Sequence, residues 1–260
     1  MISSRLRVFV CAFSTVWPFM LADAAGAATV QCGAGDAQCL VSAINEANSR
    51  PQLKTTIRLA GGTYALSAVD NLIGGPNGLP SIVSTITIKA DKAGTTLTRA
   101  AGSLPFRFLH IESTGCLTLN GLSLVDGSAT TPGGSLGGAI LNDGGTVTIV
   151  GVLFNSNQAS SGGAIFTNLG ELTIADSTFL MNRATDAGAI HNKGGIVRVR
   201  RSQFSHNDGN FTAGAVWSED GELHISQSRF FGGRFTTGAG AVGGASSRSA
   251  GGDEEPICRQ

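Results

Sequence analysis

A short alternation of apolar and polar residues returns along the chain at a fixed step. Leu172-Thr173-Ile174, Val197-Arg198-Val199 and Leu223-His224-Ile225 each set two apolar residues around a more polar one, the period-2 signature of a half-buried strand. Gly138-Ala139-Ile140, Gly163-Ala164-Ile165, Gly188-Ala189-Ile190, Gly214-Ala215-Val216 and Gly240-Ala241-Val242 recur at spacings of 25, 25, 26 and 26 residues. A third motif keeps the same step: Phe154 to Asn157, Phe179 to Asn182 and Phe204 to Asn207, with Phe230 opening a degenerate fourth copy. Units of this length, built from short strands with no amphipathic run of helical length, cannot bury their own apolar faces, and stacking is the remedy. One unit per coil predicts that Ile174 lies between Ile149 and Val199 at the roughly 4.8 Å spacing of a β-ladder. It also predicts interior columns of Ala, Ile and Phe. Asn157, Asn182 and Asn207 then form an amide ladder, in a turn whose left-handed geometry Asn tolerates. The fold class predicted is all-β, a right-handed parallel β-helix solenoid. The Leu-x-x-Leu-x-Leu pattern of a leucine-rich repeat is missing, and a propeller blade needs about 40 residues.

Upstream, Asp36 is placed to cap a short helix in which Leu40, Ile44 and Ala47 share one face, and Pro51 discourages its continuation. An apolar helix face laid across the end of a solenoid covers unpaired strand edges, so this helix is expected to be an N-terminal cap. The stretch from Thr56 to Val125 supplies about three less regular coils, with Asn71 to Ser81 and Gly127 to Ser135 as projecting loops. The expected organisation is therefore a signal segment over 1–27, a cap segment over 28–55 and a solenoid over 56–242. Residues 243–260 read as a low-complexity tail, either a loose end or the remnant of a truncated coil.

The Gly-Gly-Ala-Ile and Phe-x-x-Asn motifs, over residues 137–242, resemble the repeats of chlamydial polymorphic outer-membrane proteins and of bacterial right-handed β-helix proteins of the pectin-lyase-like class. Cys39 to Asn48 resembles the CSLREA-type N-terminal segment, with Val41 and Ser42 departing from its usual sequence. Thr56 to Leu59, Gly62 to Tyr64, Ile86 to Ile88 and Leu117 to Leu122 resemble the early coils of the same proteins. The resemblance implies a fold and is nearly silent about function.

Composition narrows the picture further. With 37 Gly in 260 residues and only 14% charged side chains, the chain needs many tight turns and offers few solvated faces. Its 42% hydrophobic content and zero formal charge exclude wholesale disorder and give no electrostatic reason to expect nucleic acid as a partner. Arg5 and Arg7, the apolar stretch from Val8 to Leu21 and Ala25-Gly26-Ala27 form the pattern of a secretory signal cleaved after Ala27. The stretch, interrupted by Pro18, falls short of the roughly 20 residues that span a bilayer, and no transmembrane segment is expected in the mature chain. The expected location is the periplasm, the cell surface or the exterior. In that oxidising setting Cys32 and Cys39 are expected to close a small disulfide loop; the pairing of Cys116 and Cys258 stays open. No metal site or cofactor is expected.

Three clusters are candidates for function. Aligning the repeats puts Thr146, Glu171, Ile196 and Glu222 in one column. Glu171 and Glu222 are then two coils apart, roughly 10 Å, near the upper carboxyl separation of inverting glycosidases, with Asp176 close by. A solvated charge after a turn glycine is the ordinary explanation. Arg198, Arg200 and Arg201 crowd one coil with Lys193, and Arg229 and Arg234 follow on the next, facing either acidic glycans or solvent alone. The column Leu141, Phe166, His191, Trp217 points outward under simple alternation and could stack on sugar rings; if the strand bends there, it is core. His191 and His224 are read as surface side chains. These features predict an exported cell-envelope surface protein, adhesin-like or carbohydrate-binding, without evident catalysis and with a glycan or envelope polymer as partner. A polysaccharide lyase or glycoside hydrolase is the alternative, and a purely structural fragment the third reading.

Overall fold

The computed structural model describes residues 21–22, 27–131, 135–234 and 241–245. Most of the expected signal segment, and the tail beyond Ala245, lie outside them. Within them the chain winds into a parallel β-solenoid of about eight turns. One long sheet runs the whole length through Ala27–Cys32, Lys54–Leu59, Thr85–Ala90, Cys116–Asn120, Thr146–Val150, Glu171–Ala175, Ile196–Arg200 and Glu222–Ser226. Its single antiparallel partner is Leu21–Ala22. A seven-stranded sheet runs from Thr63–Leu66 to Arg229–Phe231, a six-stranded one from Leu109–Ile111 to Val242–Ala245, and a narrow four-stranded one from Ser128–Ala129 to Asp208–Gly209.

The register follows the repeat. Ile174 pairs with Ile149 and Val199, and Phe179 with Phe154 and Phe204. Inward positions of these strands of the long sheet are buried and outward ones, small Ala175 apart, are not, as the pleat requires. The Phe column is a true stack, with ring centroids 4.7, 4.7 and 4.6 Å apart from Phe154 to Phe230 and interplanar angles of 10° or less. Ladder spacing alone brings the rings into dispersion contact, without a change of rotamer between coils.

The amide ladder forms and is wholly buried. Asn157 donates to Asn182 Oδ1 at 2.9 Å, and Asn182 to Asn207 Oδ1 at 2.9 Å. The same two oxygens accept the backbone N–H of Asn157 and Asn182 at 3.0 Å. Each amide therefore satisfies a turn N–H of the preceding coil, a requirement for any buried corner. The left-handed geometry falls one residue earlier than expected, on Ser156, Met181 and His206, with φ of 56°, 53° and 51°. The amides need the ordinary backbone region to reach their neighbours, so the preceding residue makes the bend. Where Gly163 turns the coil, a Cβ would meet the Arg183 backbone N and O at 2.7 Å and press on the Gly188 carbonyl, so only hydrogen fits.

The helix Ala37–Asn48 forms as expected. Asp36 Oδ1 accepts the Cys39 N–H at 2.9 Å, and Leu40, Ile44 and Ala47 are buried along with Ala43. It packs against strands Ala27–Cys32, Lys54–Leu59, Thr63–Leu66 and Thr85–Ala90. The solenoid nevertheless begins before the helix rather than at residue 56, because Ala27–Cys32 pairs along its full length with Lys54–Leu59. The Cys32–Cys39 disulfide ties that first strand to the helix. Cys116 is also disulfide-bonded. The loop over residues 71–81 does not project. It folds back on the six-stranded sheet, burying Asn77, Leu79 and Ser81, and fully buried Arg107 holds it by donating to Gly74 O at 3.0 Å and Asn77 Oδ1 at 3.1 Å. Burial lowers the Arg107 pKa to about 10, so the guanidinium still carries its charge at neutral pH.

Candidate functional site

The six-stranded sheet carries the aromatic column. Its rungs align His110, Leu141, Phe166, His191, Trp217 and Gly243. Alternation does hold: Ile140, Ile165, Ile190 and Val216 point into the core, so the column lies on the outer face. It is not a continuous exposed stripe, however, because the returning chain covers it. Ser135–Ser161 and Ser160–Asp186 backbone bonds, together with bridges from Leu136 to Ser161 and on to Asp186, run that return beside the sheet. Phe166 and His191 are consequently only 4% and 6% exposed. His191 is thus no surface side chain, and the physical reason is this second layer, which strand alternation does not encode. Trp217 alone of the predicted stripe is half-buried and reaches solvent. Gly243, on the next rung, has no side chain with which to cover the indole.

His191 is gripped from two sides. Its Nδ1 lies 2.7 Å from Ser161 Oγ, and its Nε2, buried and without a hydrogen bond, lies 3.6 Å from Glu219 Oε2. Phe166 packs on the ring at 4.9 Å between centroids, tilted by 49°. Burial is the main cause of a His191 pKa below the usual imidazole value; Glu219 and Asp186 oppose it, and Lys193 adds to it. When Ser161 donates to Nδ1, the remaining proton sits on Nε2 and faces Glu219. A Ser-His-Glu series of this kind brings nucleophilic catalysis to mind. The serine is buried, though, and its N–H donates to Ser135 O. The same clasp recurs where Ser81 Oγ meets Nδ1 of buried His110 at 2.9 Å. Repetition at a second buried position identifies the clasp as a fastening between the sheet and its covering layer.

The arginines are not assembled with Trp217. Arg198 and Arg200 stand on the outer face of the long sheet, where Arg198 is flanked by Thr173 and His224, and Arg200 by Ala175 and Ser226. Arg201, in the following turn, holds Asp176 through two bonds of 2.7 Å. That bidentate pair lowers the Asp176 pKa and raises that of Arg201. Asp176 is therefore engaged as a structural partner one coil away. Glu171 and Glu222 occupy the expected column on either side of Ile196. Glu222 lies 3.6 Å from His224. A shallow cleft of about 360 Å³ lies elsewhere, bounded by Arg99, Asp126 and Gln158. None of the candidate residues lines it, and its Arg99 is occupied by the Asp126 and Ser103 carbonyls.

Two residues of the Trp217 neighbourhood were not singled out from sequence. Glu219 was legible as Trp217 plus two, on the same face of the same strand; Ser161 was not, because only the fold brings it to His191. Among the described residues no group of three or more His, Cys, Asp or Glu is placed to hold a metal ion, and no helix is long and apolar enough to cross a membrane. No protein-family model matches the chain, and no curated protein matches it. What is established is the class, a parallel β-solenoid with an N-terminal helix and a Cys32–Cys39 disulfide.

Proposed function

We propose that the chain is an exported cell-envelope β-helix, akin to the polymorphic outer-membrane and pectin-lyase-like repeat proteins, that binds an extended glycan on the flank carrying Trp217. The observation that carries this reading is the end of the aromatic column. Four successive outward side chains, His110 to His191, are covered, whereas Trp217 is half-buried and followed by Gly243. A half-buried indole that reaches solvent from a strand of the sheet is a preorganised platform for the apolar face of a sugar ring. Glu219 on the same face offers a carboxylate to sugar hydroxyls. The disulfide in the first coil fits an oxidising compartment, and the export pattern of the first 27 residues supports the same location.

A glycan-array screen of the exported chain, followed by retention of the hits on Trp217→Ala, tests the reading. Binding by the parent chain and loss of retention by a variant that keeps its far-ultraviolet spectrum are expected. No retained glycan, or equal retention by the variant, would overturn it.

A further inference from the structure

The charge around Trp217 assigns a ligand class more specific than glycan, on the basis of the site proposed above. Glu219 is paired in the ladder with Lys193, but no Lys or Arg comes within 4.0 Å of its carboxylate among the described residues. Its only close titratable contact there is Nε2 of His191, an imidazole that burial keeps neutral. That nitrogen is more than nine-tenths buried, has no hydrogen-bond partner, and backs one carboxylate oxygen. The Glu219 side chain is itself 42% exposed. Asp186 adds a second carboxylate close enough to act on the same imidazole. The arginines that would welcome an acidic sugar stand on a different sheet. An aromatic face beside an oriented, incompletely neutralised carboxylate is suited to a cation, which gains from both the ring quadrupole and the charge-assisted hydrogen bond. A uronate or sulfated sugar at the same place would meet like charge.

We infer that the Trp217 platform selects an amino sugar with a free ammonium group, such as a de-N-acetylated hexosamine unit, with the ring over the indole and the ammonium donating to Glu219. His191 is a positioning residue in this arrangement. Its buried Nε2, 3.6 Å from Oε2, flanks the Glu219 carboxylate and limits the positions it can take, so less side-chain freedom is lost on binding. N-acetylation removes the charge and replaces a three-proton donor by a single amide N–H.

Calorimetric titration of the full chain, disulfides intact, with glucosamine oligomers, their N-acetylated counterparts and galacturonate oligomers separates the outcomes. The deacetylated oligomer is expected to bind about tenfold more tightly than the acetylated one, the magnitude of one charge-assisted hydrogen bond. The galacturonate oligomer is expected to bind weakest. Glu219→Gln keeps a group of the same shape beside His191 and is expected to erase the preference while leaving the weaker acetylated affinity in place. Equal or tighter binding of the acetylated or acidic oligomers, or a preference that survives Glu219→Gln, overturns the inference and leaves the Trp217 platform standing. Failure of all three to bind, in a chain that also retains nothing from the array, removes the platform itself.

Discussion

Replacing Asn182 by alanine opens a gap in the middle of the amide ladder, and the cost follows from the bonds that end there. The Asn157 backbone N–H loses the Asn182 Oδ1 acceptor it meets at 3.0 Å. The Asn157 amide loses one of its two acceptors but keeps Leu124 O at 3.1 Å. The Phe154 carbonyl loses a donor at 3.1 Å, while Asn207 Oδ1 keeps the Asn182 N–H. One buried group, the Asn157 N–H, is left without this partner, and three, the Asn157 amide, the Phe154 carbonyl and Asn207 Oδ1, are left short. At about 1–3 kcal/mol for a buried group stranded outright, and less for the others, the sum is about 2–5 kcal/mol. Equilibrium urea unfolding, with an unchanged slope and a lowered midpoint, reads this directly. By heat the same loss is about 5–15 °C for a domain of this size. Asn155, half-buried in the adjacent strand and accepting only from Ser156 Oγ, is the control, and Asn155→Ala is expected to change stability by less than about 0.5 kcal/mol. A loss below about 1 kcal/mol for Asn182→Ala, or similar losses for the two variants, would mean that the ladder merely accompanies the stack and does not hold it.

Other outcomes follow from the same geometry. Phe179→Ala, between two stacked rings, is expected to cost about 3–5 kcal/mol in urea unfolding, and a loss below about 1 kcal/mol contradicts the register. Gly163→Ala drives a methyl into backbone on three sides and is expected to abolish cooperative unfolding; Gly151→Ala, at a left-handed corner with open space around it, is expected to cost only about 1–2 kcal/mol. His110 and His191 are both held neutral by burial, with folded pKa values below the ordinary 6.5. The unfolded chain therefore takes up protons first as pH falls below about 6.5, and stability is lost downward through that window toward the folded values. The urea midpoint should fall between about pH 7.5 and 5, and a constant or rising midpoint refutes this. Peptide mapping of exported material with and without reductant should find Cys32 joined to Cys39; free thiols at both positions would exclude the pair.

Much of the coil could be read in the sequence because its repeat is the structure's own period. Once Ile149, Ile174 and Val199 are aligned by motif, their pairing and burial follow, and so does the Phe stack. The corner geometry was displaced by one residue because the repeated Asn draws attention to itself, whereas Ser156, Met181 and His206, the residues that bend, share no chemistry. The covered column failed for a different reason. Alternation says which way a side chain leaves its strand, and Phe166 and His191 do leave outward, but burial there depends on a return segment contributed by the neighbouring coils. The long sheet also carries an unbroken outer column of threonines, Thr29, Thr56, Thr87, Thr118, Thr148 and Thr173. The irregular lengths of the early coils hide it until the register is known. Two further ladders went unseen for similar reasons. One links Ser177, Ser202 and Ser228 hydroxyls to the N–H groups of the preceding coil; the other places Asn142 against Thr167 and Asn192 against Ser218. In the second the residue types change from coil to coil, and hydrogen-bonding capacity, not identity, is what repeats; the serines of the first keep their identity but carry no apolar signal.

The direction of the ladders carries a consequence for how such a chain can change in length. At the Asn corner, and again at the serine corner, each coil hands its N–H to an oxygen on the next coil along, from Gly127 to Asn157, Asn182 and Asn207 in one case and from Val152 to Ser177, Ser202 and Ser228 in the other. Both series point the same way along the axis. A 25-residue unit copied whole and in frame, such as residues 158–182, would arrive with the oxygen its predecessor requires and the N–H its successor accepts. A unit copied out of frame would break both series at once. Duplication in whole steps is thus a route by which this solenoid can grow without passing through a chain that cannot fold, and the corners at Asn157, Asn182 and Asn207, alike in Phe and Asn, are the junctions at which such a unit would fit.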